Sequence, residues 1–109
     1  MICNAVCHIY SGRPNPEWKL TKEQVEEVDR IWENLEETFN QEKFPSFLGY
    51  RGISLVCENE REYFVFNKRV KCKTKKQVSW KSDIAGSLEK FLLSTAPKGI
   101  LPAELFNNL

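Results

Sequence analysis

Residues 50–80 read YRGISLVCENEREYFVFNKRVKCKTKKQVSW, and this stretch decides the fold class. Val, Ile, Tyr and Phe recur in short runs, with polar clusters between them, as strands and turns do. The spacing predicts strands at roughly Tyr50–Cys57, Glu62–Phe66, Arg69–Lys73 and Gln77–Trp80. Asn67-Lys68 fits a two-residue hairpin loop, with Asn at a position that needs a positive φ. Loops this short join antiparallel neighbours.

On the N-terminal side the pattern changes period. Val25, Val28, Ile31, Trp32, Leu35 and Phe39 form one apolar stripe at helical spacing. Thr21 and Gln24 have the spacing of a capping box, and Leu20 with Val25 that of a hydrophobic staple. The expectation is a helix from about Lys22 to about Asn40, with residues 44–49 as a connection. Residues 2–10 suit a further strand. On the C-terminal side, Ser82 or Asp83 can cap a second helix carrying Ile84, Leu88, Phe91, Leu92 and Thr95, which Pro97 and Gly99 stop. Residues 101–109 read as a last helical turn or a docked tail. Strand, helix, run of strands, helix implies an α+β fold. Its expected form is an antiparallel four- to five-stranded sheet with both helices packed on one face.

The chain has 109 residues, which suits one domain spanning 1–109. No stretch approaches the roughly 20 apolar residues of a membrane span. The opening residues lack the basic start and long apolar run of a signal peptide, which favours a cytoplasmic location. Net charge is +1, but it is unevenly spread. Between Lys22 and Glu42 lie eight acids and two bases; between Lys68 and Lys81 lie seven bases and no acid.

Four cysteines, Cys3, Cys7, Cys57 and Cys72, are an even number. Cys3 and Cys7 on one strand would be about 13 Å apart, too far for a bond. Cys57 and Cys72, with one strand between them, would be about 9.6 Å apart. A link from Cys3 or Cys7 to Cys57 or Cys72 stays open, and the expectation is reduced thiols acting as small buried hydrophobes.

The most unusual segment is Ser11-Gly12-Arg13-Pro14-Asn15-Pro16-Glu17-Trp18. Two prolines fix φ and push the preceding residues to extended geometry. A stiff loop carrying Arg13, Asn15 and Trp18 loses little entropy on binding, and Arg13 can clamp a carboxylate or phosphate. The bland alternative has Arg13 bonded to loop carbonyls and Trp18 in the core. This block, together with Leu48-Gly49-Tyr50-Arg51-Gly52, resembles a pattern in short proteins of bacteria and animals with no known activity. The resemblance covers about a tenth of the chain. It implies kinship and suggests that Arg13, Trp18, Tyr50 and Arg51 gather in one pocket.

A second candidate is the basic ribbon. Arg69, Lys71, Lys73 and Lys75 fall at period two and would share one strand face, where they could follow a phosphate backbone. Against this, no aromatic residue interleaves them before Trp80, and basic side chains also protect edge strands. A third candidate centres on His8, the single histidine. Adjacent strand residues point to opposite faces, so Cys7 and His8 cannot be a dyad. The C-x-x-C knuckle of common zinc sites is missing.

These residues lead us to expect a non-catalytic binding module, with no cofactor and no metal. Arg13, Asn15, Trp18, Tyr50 and Arg51 would hold a small anionic ligand, peptide or protein. The alternative is polyanion or nucleic-acid binding through Arg69, Lys71, Lys73 and Lys75.

Overall fold

A computed structural model describes residues 2–10, 12, 14–38, 50–102 and 105. Ser11, Arg13, Phe39, Asn40, the connection 44–49 and most of the 101–109 tail lie outside the described residues. The elements are β1 (Cys3–Cys7), β2 (Glu17–Lys19), α1 (Lys22–Glu33), β3 (Glu36–Glu37), β4 (Ile53–Cys57), β5 (Glu62–Phe66), β6 (Arg69–Lys73), β7 (Val78–Ser82) and α2 (Ser87–Ser94). All seven strands join one antiparallel sheet in the order β2-β1-β4-β5-β6-β7-β3. The α+β class and antiparallel sheet are those expected; the sheet is larger than the expected four or five strands. No described helix is long and apolar enough to cross a membrane.

Register explains which residues are core. Ala5 faces Leu55, Leu55 faces Tyr63, and Tyr63 faces Cys72, so one row of buried side chains crosses four strands. Cys7, Ile53, Val65 and Val70 form the next row. Both helices lie on this face. Val25, Val28 and Trp32 of α1 are buried, and the Trp32 ring meets the Tyr63 ring edge-on at 5.5 Å. Tyr63 Oη donates to Asp29 Oδ1 at 2.8 Å, which places its hydroxyl at the edge of the core. Leu88, Leu92 and Leu93 of α2 complete the core.

The hairpin at Asn67-Lys68 is as expected. Both residues have positive φ, 51° and 65°, the geometry that matches the twist of the flanking strands. The capping box also forms. Gln24 N donates to Thr21 Oγ1, and Thr21 N donates to Gln24 Oε1.

Three expectations need correction. The first helix ends at Glu33, well short of Asn40. Asn34 closes it, its Nδ2 donating to the Arg30 carbonyl at 2.9 Å. The chain then leaves the axis so that Glu36 and Glu37 pair with Ser82 and Lys81. Edge pairing on β7 wins there over the helical period. Glu17 and Trp18, expected in the loop, belong with Lys19 to a strand on β1, with Ala5 opposite Trp18. The second helix begins at Ser87, and Ile84, expected on its buried stripe, is 72% exposed. Asp83 reaches past that turn, its Oδ2 accepting from Leu88 N at 3.0 Å and Glu89 N at 3.3 Å.

The cysteines also depart from expectation. Cys3 and Cys57 are directly opposed on β1 and β4 and form a disulfide. Cys7 and Cys72 are free and buried.

Candidate functional site

Described residues of both sequence blocks bond to residues 8–10, which follow β1. Arg51 N donates to the His8 carbonyl at 2.7 Å, and His8 N donates to the Gly52 carbonyl at 2.9 Å. Arg51 Nη2 donates to the Tyr10 carbonyl at 2.8 Å. Gly52 is needed there, because its φ is +106° and a Cβ would lie 2.8 Å from the Val65 carbonyl oxygen. Within the loop, Asn15 Oδ1 accepts from Ile9 N at 3.0 Å and Tyr10 N at 2.8 Å. The amide oxygen is thus spent on shaping its own turn. Trp18 is core, 5% exposed, with Nε1 donating to Thr95 Oγ1 at 2.8 Å. Arg51 keeps one buried nitrogen, Nε, without a partner. Arg13 lies outside the described residues. Of the five residues expected to hold a ligand, only Tyr50 lines a described cleft.

That cleft has a volume of about 260 Å³. The rings of Tyr50 and Phe66, edge-on at 5.7 Å, form its apolar wall. The hairpin turn supplies Asn67 and Lys68, and the start of α2 supplies Ala85, Gly86, Glu89 and Lys90. Positive φ at Lys68 turns the chain back within two residues, which brings its side chain to the rim. Gly86, with φ +69°, lies under the Lys90 stem: a Cβ there would meet Lys90 Cε at 3.7 Å.

Glu89 is the unusual member. It is only 6% exposed, and one carboxyl oxygen, Oε2, accepts from Tyr50 Oη. Burial pushes its carboxyl above the ordinary range, the nearby Asp83 carboxylate pushes the same way, and the Tyr50 hydrogen bond pulls against both. Burial and the Glu89 hydrogen bond also push the Tyr50 phenol upward. Asp83 is 1% exposed, and its Oδ1 is buried without a hydrogen-bond partner. Sequence reasoning passed over Glu89, although a signal existed. Glu89 lies three and four residues before Leu92 and Leu93, which puts an acid on the stripe that faces the core.

The thiol and imidazole candidates fall on opposite faces. Cys7 is fully buried, and burial, with the Glu89 charge adding to it, pushes its thiol up to about 12. His8 turns to the other face, where Nε2 lies 2.8 Å from Ser54 Oγ and the ring lies 5.8 Å from Phe64. Burial and the Arg51 charge lower the His8 pKa, so its ring is neutral at pH 7. Ser54 is 5% exposed, which leaves its hydroxyl little access to a substrate. No group of three metal-ligating side chains occurs among the described residues.

The basic ribbon divides. Arg69, Lys71 and Lys73 share the sheet face away from the helices, as their spacing predicts. Lys71 Nζ lies 5.9 Å from the centre of the Trp80 ring. Lys75 is in the turn beyond β6, where it pairs with Glu60 at 3.4 Å. Lys81 points to the helix side, with Nζ donating to the Trp32 carbonyl at 2.8 Å and 4.4 Å from that ring's centre. The ribbon is therefore not one continuous cationic track.

The chain matches no family model, no curated protein and no solved structure.

Proposed function

We propose that this chain is a non-catalytic binding module for a small anionic ligand, held in the cleft between the Asn67-Lys68 turn and the start of α2. The observation that carries the reading is one concave surface that combines two ammonium groups with an aromatic wall. Small-molecule sites join an apolar lining to a few polar groups that fix orientation. Lys68 and Lys90 supply the cationic end, and Tyr50 and Phe66 supply the apolar body. Burial holds Glu89 toward its neutral form, which reduces its repulsion of an anion. Arg51 Nη2 and Asn15 Oδ1 bond to the Tyr10 backbone, and Arg51 N bonds to the His8 carbonyl, which braces the chain next to Tyr50.

The Cys3–Cys57 bond favours an oxidising compartment over the cytoplasmic one that the opening residues suggest. Both free thiols are buried and fit either setting.

Isothermal titration with small carboxylates and phosphates tests the reading. Lys68→Gln with Lys90→Gln should weaken binding about tenfold, the scale of one charge-assisted hydrogen bond at a solvated rim. Unchanged affinity in the double variant would remove the site. The alternative, polyanion binding through Arg69, Lys71 and Lys73, predicts heparin retention that falls steeply between about 50 and 200 mM salt. Affinity carried by Lys71 and Lys73 instead of Lys68 and Lys90 would favour it.

A further inference from the structure

Resting on the cleft as the binding site, we infer that its ligand is a zwitterion, a free α-amino acid with an apolar side chain, whose ammonium group docks on Glu89. The cleft wall is unbalanced in charge. Glu89 is nine-tenths buried, lines the cleft and, among the described residues, has a single polar partner, Tyr50, on one of its two oxygens. Neither Glu89 nor its buried neighbour Asp83 has a basic side chain paired with it among the described residues. Buried carboxylates are ordinarily paired. Here the cations, Lys68 and Lys90, are both exposed and line the same cleft.

A purely anionic guest would satisfy the lysines and leave the second Glu89 oxygen unpartnered. A purely cationic guest would satisfy Glu89 and meet two ammonium groups. A guest with both charged groups on one carbon satisfies both ends. Its carboxylate lies toward Lys68 and Lys90, and the Asn67 amide is available beside them. Its ammonium group donates to Glu89 Oε1, the oxygen that Tyr50 does not take. Tyr50 Oη, whose O–H donates to Glu89, can accept a second ammonium proton on its lone pair. The Phe66 and Tyr50 rings then cover the side chain. A volume of about 260 Å³ lies below the range of roughly 300–1,000 Å³ typical of sites for drug-sized molecules, which suits a single residue.

Proton linkage follows with a definite sign. The groups facing Glu89 are Tyr50 ahead of β4, Cys7 on β1, Asp83 before α2, and the lysines Lys68 and Lys90. An ammonium group on Glu89 favours its carboxylate form, so binding releases a proton from whatever fraction of Glu89 is protonated. An anion without an amine draws that equilibrium the other way.

The test uses the full chain and two matched pairs: L-leucine against 4-methylpentanoate, and L-phenylalanine against 3-phenylpropanoate. Isothermal titration should show each amino acid binding about tenfold or more tightly than its des-amino partner. Glu89→Gln, which keeps an oxygen for Tyr50 and carries no charge, should remove the preference while 3-phenylpropanoate binds at least as tightly as to the native chain; that binding reports an intact cleft. If the variant fails to fold, titration of the native chain in buffers of different ionisation enthalpy replaces it, with proton release on binding L-phenylalanine expected. Equal affinity within each pair, or proton uptake, would overturn the zwitterion and leave an anion site standing. No binding by either pair would overturn the cleft reading and this inference together.

Discussion

Cys7 and His8 are neighbours in sequence and strangers in space, and their environments give them opposite chemistry. His8 is half-buried against Ser54 and stays neutral at pH 7. Cys7 is sealed among core residues, its thiol pushed up to about 12 by burial and by Glu89. A thiol reacts as its thiolate, and a pKa raised that far leaves almost none at pH 8. Cys72 is shifted upward as well, burial being the main cause. We expect Ellman's reagent to find no reactive thiol in the native chain at pH 8. Two should appear per chain in guanidinium without reductant. A fast-reacting native thiol would show that the β1 side of the core opens. The strand alternation behind this separation was legible in the sequence, since adjacent residues face opposite ways. The pairing of Ser54 with His8 was not, because it depends on β1 lying beside β4.

At the scale of elements, the long β4–β7 meander and the capping box could be read directly, because turn chemistry and period are local signals. The short strands could not. Glu17–Lys19 and Glu36–Glu37 have three and two residues, too few for a period to appear. Each exists because a longer strand offers an open edge. The β1–β4 pairing was hidden for a related reason. Its partners are 54 residues apart at Cys3 and Cys57, and that contact alone brings the two cysteines into opposition. Closing a loop of that length removes denatured-state entropy worth about 4 kcal/mol in the chain-entropy model. Domains of this kind have total stabilities of roughly 5–15 kcal/mol. Cys3→Ala with Cys57→Ala should therefore lower Tm by about 15 °C. Far-UV circular dichroism should hardly change, because five residue pairs still hold β1 to β4. A Tm shift under about 3 °C would mean that the denatured chain is already compact around this contact.

At the scale of the molecule, Glu89 ties stability to pH, and the sign can be worked out from its environment. Its carboxyl titrates higher in the folded chain than its ordinary value of 4.5, chiefly through burial. Between the unfolded and the folded value, the native state holds a proton that the unfolded state has lost. Stability then falls as pH rises across that window, because the unfolded state binds fewer protons there. This is the reverse of a carboxylate stabilised by a salt bridge, whose contribution fades on acidification. Glu27 is of that second kind, lowered by its hydrogen bond to Arg30, but it is at the surface and screened by solvent. Glu89→Gln removes the titration while keeping an acceptor for Tyr50. Urea unfolding from pH 4.5 to 8 should therefore show the variant gaining on the native chain as pH rises, with the two closest near pH 4.5. A saturating ligand that places a cation on Glu89 should cancel much of this loss, because it stabilises the ionised form in the folded state alone. If the native chain instead gains on the variant with rising pH, Glu89 is paired to a cation in solution, and the cleft has no need of an ammonium group.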